Sequence, residues 1–253
     1  MKLLIFPHSH FCEKARWALD YKAINYKPVA IMPGTHPITV RRHARDTTVP
    51  VLLDDNDAIQ GSSQIIDYLD RKYPSLSLTP ENVDDRQTCM EIEHAMDEKI
   101  GVRIRQIFYF RLYADSDYLH HCFTHSMPML KRFFFPLIYP VVRSRIYRGY
   151  VISDRHVEEG KREFESVMNE IGKILEQRQY LVGETFSRAD LSVASMLSML
   201  VMPDQHPFPW QEIPDLETKV YYEKFDDHPV THWVRKIYQD HRLTNGSDTT
   251  LVQ

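Results

Sequence analysis

The chain has 253 residues, 43% hydrophobic and 26% charged, which suits a globular protein of two modest domains or one large one. A formal charge of −4 argues against nucleic-acid binding, which needs a basic surface. Its three cysteines, Cys12, Cys89 and Cys122, are too widely spaced for a disulfide framework or a paired zinc motif, so no metal site is expected.

In chain order, Lys2 to Phe6 read as a short buried strand that ends at Pro7. That run is too short for a signal sequence. A helix is expected over about 11–22, a second strand over 24–31, and a loop after it with Pro33-Gly34 as a turn. VPVLLDDNDAIQ reads as a hairpin, with strands 51–53 and from 58 joined by a turn at 54–57. A helix over 62–73 follows, stopped by Pro74. The polar segment 74–85 is the best linker.

Everything beyond reads helical. One long pattern covers 84–113, with Met90, Ile92, Met96, Ile100, Ile104, Ile107 and Phe108 as buried positions. Two pieces interrupted by Pro128, Pro136 and Pro140 cover 117–150, and a helix follows over 154–178. Another starts near Ser187, where Ser187 and Asp190 have capping-box spacing, and the last lies in HPVTHWVRKIYQDH. FFFPLIYPVV, 133–142, is about half a membrane span and holds two prolines, so no transmembrane segment and a cytoplasmic location are expected.

Three short motifs could carry chemistry. Ser9-His10-Phe11-Cys12 opens the first helix, where a serine is an ordinary cap but a helix N-terminus also stabilises a thiolate. Val49-Pro50 precedes a strand; a cis bond there would leave the Val49 backbone free to pair with an extended peptide, and a trans proline is the ordinary alternative. Ser62 or Ser63, after Gly61, opens the next helix, with N–H donors suited to a carboxylate. Taken singly, the first and third are plain caps.

Their order and spacing resemble the glutathione S-transferase superfamily. SHFCEKARWALDYKAINY is similar to that family's first helix and second strand, TVPVLLDD to its VP strand, and QGSSQIIDYLDRKYP to its "ESxAIxxYL" segment. LVGETFSRADLSVAS is similar to its C-terminal "G-x-x-x-[ST]-x-A-D" segment. The resemblance implies a thioredoxin-like βαβ-ββα glutathione-binding domain at 1–76, an all-helical domain at 84–242 and a loose tail at 243–253. It implies a homodimer acting in detoxification, which conjugates glutathione as co-substrate to an electrophilic, mainly apolar small molecule bound between the domains.

Carried over by residue, Ser9 is the implied catalytic thiol activator, with Phe11 and Cys12 beside it. Val49 and Pro50 meet the cysteinyl part, and Gly61, Ser62 and Ser63 the γ-glutamyl end, with Gln64 nearby. Where the family has Glu, this chain has Gly61, which removes an acceptor for the glutathione amino group; Gln60 or Asp67 is the candidate replacement. Two further readings follow: a binding protein that kept the fold and lost the transfer reaction, or a glutathione-dependent thiol reductase using Cys12. His8 and His10 are expected as surface histidines, with tuning of the Ser9 proton by His10 as the sharper reading. Arg41, Arg42, His43 and Arg45 could meet the glycine carboxylate, and Tyr109, Arg111 and Tyr113 could wall the apolar site.

Overall fold

The computed structural model describes residues 1–114, 120, 122–125, 129–150, 154–210 and 225–242. Strands β1 (Lys2–Ile5), β2 (Lys27–Ala30), β3 (Val51–Asp54) and β4 (Asp57–Gln60) form one mixed sheet in the order β2-β1-β3-β4. β1 runs parallel to β2 and antiparallel to β3, and β3–β4 is the expected hairpin. Pro28, opposite Leu3, is tolerated because β2 is an edge strand, where a missing N–H costs no ladder bond.

Strand alternation fills both faces of the sheet. Leu3, Ile5 and Leu52 join the main core with helix α1 (His10–Tyr21) and helix α3 (Ser62–Lys72), including Ala15, Ala18, Leu19, Ile65, Ile66 and Leu69. Leu4 and Val51 face the other way, onto Val40. Val40 belongs to α2 (His36–Val40), a five-residue helix inside the segment expected to be loop. A helix this short carries no apolar period to read; burying Val40 over the sheet is what holds it.

In the helical part, Asn82 caps α4 (Val83–Ala95) by accepting from the Asp84 and Asp85 N–H groups at 2.9 and 3.0 Å. The rod continues through one π turn, Met96–Ile100, into α5 (Gly101–Ala114), as the expected 84–113 pattern but with its faces re-aimed by the turn. α6 (Met129–Tyr150) is one helix: Pro136 and Pro140 lie within it and do not interrupt it. Both prolines are exposed, so the carbonyls they leave unbonded meet water. The expected break at Pro128 lies outside the described residues, as does the tail from Leu243.

α7 (Asp154–Leu175) packs against α5, and α8 (Arg188–Val201), buried at every residue, is the axis of the helical part. Asp190 completes the capping motif at its start, accepting from the Ser187 N–H at 2.9 Å, the Ser187 hydroxyl at 2.9 Å and the Leu181 N–H at 2.8 Å. α9 (Pro229–His241) closes the described chain, capped by the His228 ring. Among the described residues no helix is long and apolar enough to cross a membrane.

The two parts are joined through α1, which packs on α8 and buries four charged side chains. Arg242 meets Glu13 and Asp20 at 2.7 Å each, and Lys14 meets Glu93 and Asp97 at 2.7 Å each. The whole is a thioredoxin-like sheet domain followed by a helical one.

Candidate functional site

Three adjoining chambers run along the junction of sheet and helices. The central one, about 260 Å³, is lined by Ser9, His10, Phe11, Val49 and Arg105 among others. A polar chamber of about 540 Å³ shares Phe11, Thr48, Val49 and Arg105 with it and reaches Pro50, Gly61, Ser62, Ser63 and Asp97. On the other side lies an apolar chamber of about 410 Å³. It shares Phe6, His8, His36, Thr47 and Tyr109 with the centre and adds Phe123, Val142 and Ile146.

Ser9 is the N-cap of α1: its extended backbone turns the chain out of β1, and its Oγ accepts from the Cys12 N–H at 3.4 Å. The hydroxyl thus stands at a helix N-terminus, where the backbone already favours negative charge. Val49-Pro50 is cis, and among the described residues neither the N–H nor the C=O of Val49 has a hydrogen-bond partner.

At the next helix, Gly61 is the N-cap of α3 with φ +99°, and no side chain caps the first turn. A Cβ at position 61 would stand 2.2 Å from Gln64 Oε1, in a backbone region that side chains avoid. Ser62 is buried there. The Ser63 hydroxyl donates to Asp97 Oδ2 at 2.8 Å and accepts from Lys14 Nζ at 3.1 Å.

Ser63 thereby joins an ion network beneath the polar chamber. Lys14 pairs with Glu93 and Asp97, and Arg188 pairs with Glu93 and Asp67 at 2.6 Å each. Burial alone would raise the Glu93 pKa, but Lys14 and Arg188 hold its carboxyl below the usual range. Of this network, only Ser63 and Asp67 are singled out by the sequence. The π turn that brings Asp97 and Glu98 to the chamber has no sequence period, because one extra residue re-aims the helix. Arg105, shared by the central and polar chambers, was hidden in the same pattern.

Several expectations need correction. Cys12, expected beside the bound tripeptide, is fully buried, lines none of the three chambers, and has its thiol pushed up to about 11 by burial. β1 and α1 turn it inward, into the sheet core. Gln60 does not stand in for the missing glutamate: its Nε2 donates to the Thr48 and Asp46 carbonyls at 2.8 and 3.1 Å and pins the 46–48 loop. Arg41, Arg42, His43 and Arg45 are exposed and line none of the three chambers. Tyr109 lines two of them, whereas the Arg111 and Tyr113 side chains lie outside the described residues.

His8 and His10 are not surface residues. Both are buried, as is His206. His10 Nε2 donates to the Gly101 carbonyl at 3.0 Å, tying the start of α1 to α5. Gly101 has to be small, since a Cβ there would meet Phe11 Cζ at 2.7 Å. Burial lowers these pKa values to about 4 for His8, 3 for His10 and 4 for His206.

A pH dependence of stability follows. Unfolded histidines protonate near pH 6.5 and the buried ones much lower, so their contribution is complete above 6.5 and is lost as pH falls toward 3–4. Asp20 and Asp190, raised by burial to about 6, act oppositely between about 6 and 4, because the folded form takes up their protons first. Three histidines outweigh two carboxylates. The unfolding free energy from urea melts, and with it the midpoint, is expected to fall steadily from pH 7 to about 4.5, the free energy by up to about 1.4 kcal/mol per pH unit for one net proton. A midpoint that rises on acidification would contradict the neutral buried histidines.

Comparison with known proteins agrees with this fold. Residues 3–80 match the family model described as "Glutathione S-transferase, N-terminal domain". A probable glutathione S-transferase of Nicotiana tabacum is 24% identical over 116 residues, 43% of this chain and 49% of that protein, so the match spans about half of the curated relative's length. A Methylobacterium radiotolerans glutathione S-transferase, crystallised with glutathione sulfonate, shares the fold at a TM-score of 0.62. It is 20% identical, with 99% of this chain and 93% of that one covered. A β-etherase of Sphingobium shares it at a TM-score of 0.61 and 18% identity, covering 94% and 98%. Residues 3–80 thus match a glutathione S-transferase N-terminal domain, and the chain along nearly its whole length shares its fold with solved glutathione S-transferases.

Proposed function

We propose that this protein is a glutathione transferase of the serine type, with residues 1–76 as its glutathione-binding domain and 84–242 as its helical domain. The observation that carries the reading is the position of Ser9 between a polar and an apolar chamber. Glutathione lies along the polar and central chambers, its γ-glutamyl carboxylate on the uncapped N–H groups of Ser62, Ser63 and Gln64. Asp67, Asp97 and Glu98 supply the acidic side for its ammonium group, in place of a side chain at Gly61. The Val49 backbone pairs with the cysteinyl unit.

The sulfur then sits at Ser9. The hydroxyl donates to the thiolate, the α1 N-terminus adds its positive end, and Arg105 adds a full charge. A soft electrophile enters from the apolar chamber; the thiolate attacks it and the leaving group departs with the electron pair. Three buried thiols, Cys12, Cys89 and Cys122, suit a reducing compartment such as the cytoplasm.

The binding-protein alternative rests on Gly61. Retention on immobilised glutathione together with turnover of chlorodinitrobenzene supports transfer. Retention without turnover favours the binding protein, and loss of both sinks the glutathione assignment. The reductase reading has little support, since Cys12 is inaccessible and held as a thiol.

A further inference from the structure

Helix α6 is apolar on both sides, and among the described residues only one side is covered. Its inner face sets Phe135 and Val142 into the core, with Ile138, Tyr139 and Ile146 partly buried against it. Its outer face carries Met129, Phe133, Leu137 and Val141 at four-residue spacing, 87%, 76%, 77% and 55% exposed, with Phe134 beside them. That spacing makes one continuous stripe. A helix apolar all round belongs in an interior, and a stripe of this kind on a surface marks a contact site.

The charge on the helix identifies the contact. α6 holds five of the chain's 31 Lys and Arg and none of its 35 Asp and Glu, in a chain of formal charge −4. Arg132, Arg145 and Arg148 are exposed around the apolar stripe. Cations stand near both ends of the helix, so two copies of α6 laid together in either direction would oppose like charges. An anionic lipid surface offers what both features need: negative headgroups for the arginines and an acyl boundary for the apolar side chains.

We propose that the outer face of α6 docks this protein on anionic membrane surfaces. Phe133, Leu137 and Val141 enter the headgroup–acyl boundary, and Arg132, Arg145 and Arg148 pair with lipid headgroups at the rim. The helix lies on the bilayer and does not cross it. Val142, Arg145 and Ile146 of the same helix wall the apolar chamber, which docking brings close to the lipid. The proposal stands on its own, whatever reaction the cleft performs.

The test is co-sedimentation of the full chain with vesicles of phosphatidylcholine containing about one quarter phosphatidylserine, against phosphatidylcholine alone, at low and high salt. Partitioning onto the anionic vesicles is expected to be at least about tenfold stronger and to weaken as salt rises. R132Q/R148Q lowers it about tenfold or more. F133S/L137S reduces it to the phosphatidylcholine level while keeping the wild-type circular dichroism and urea midpoint, because both side chains are exposed. The idea is overturned if the wild type stays in the supernatant with anionic vesicles, or if F133S/L137S binds as well as wild type. It is equally overturned if F133S/L137S turns a dimer into a monomer in sedimentation velocity with no vesicle binding, since the face would then join two copies.

Discussion

Ser9→Ala is expected to lower kcat/KM for chlorodinitrobenzene at pH 7 by about 10²-fold, with the KM for glutathione within about threefold of wild type. Of the tripeptide the hydroxyl touches only the sulfur in the proposed complex, so its loss removes stabilisation of the thiolate and leaves the rest of the tripeptide held. A two-unit rise in the bound thiol pKa corresponds to about 2.7 kcal/mol. The sign is fixed by which form the hydroxyl favours: donating to the anion lowers the thiol pKa, so removing it moves the acid limb of the pH–rate profile upward by about two units. The rate deficit should therefore shrink as pH is raised. Cys12→Ala provides the contrast. It hollows a fully buried position and is expected to cost about 1–2 kcal/mol of stability with the pH profile unmoved. Activity that follows Cys12 and ignores Ser9 would overturn the assignment.

Arg242→Met is the change expected to damage the fold most. The guanidinium is buried between two carboxylates of α1, with its Nε 2.7 Å from Glu13 and its Nη1 2.7 Å from Asp20. Burial alone would raise both acids. Arg242 overcomes this at Glu13 and holds it below the usual range, whereas Asp20, also beside the charge of Glu13, still rises to about 6. Removing the cation leaves two carboxylates in the interior for the one charge of buried Arg16 to balance; breaking such a buried pair typically costs about 3–5 kcal/mol, a large share of a domain's ~5–15. The stranded acids would then take up protons more readily, so the gap between variant and wild type in urea melts should be wider at pH 8 than at pH 5. Adding D20N to R242M should recover part of the loss, because Glu13 then remains to balance the buried Arg16 beside it. A cost below about 1 kcal/mol for R242M, or no recovery in the double variant, would mean that Arg242 does not clamp the C-terminal end of the helical part to α1.

How far the sequence could be read depends on the range of the interaction that fixes each element. β1, α1, the β3–β4 hairpin and α3 were legible because their apolar periods and their stops at Pro7 and Pro74 lie within a few residues. The Ser187–Asp190 motif was legible for the same reason. α2 was not, since its buried residue, Val40, packs on a distant sheet face. The uninterrupted course of α6 was misjudged because a proline's effect depends on whether the carbonyl it frees faces protein or water.

The candidate site divides in the same way. Ser9, Val49-Pro50 and Ser62 were found because each sits at a strand end or helix start, and such places announce themselves locally. The sequence by itself determined those loci and the division into a sheet part and a helical part. Tertiary structure decided what surrounds them. It buried Cys12, His8 and His10, occupied Gln60 with the 46–48 loop, and assembled Lys14, Glu93, Asp97 and Arg188 from three separate segments. Local periodicity reports which way a side chain leans on its own element. Whether that direction meets core, ion partner or open cleft is set by residues tens to hundreds of positions away, which no local pattern records.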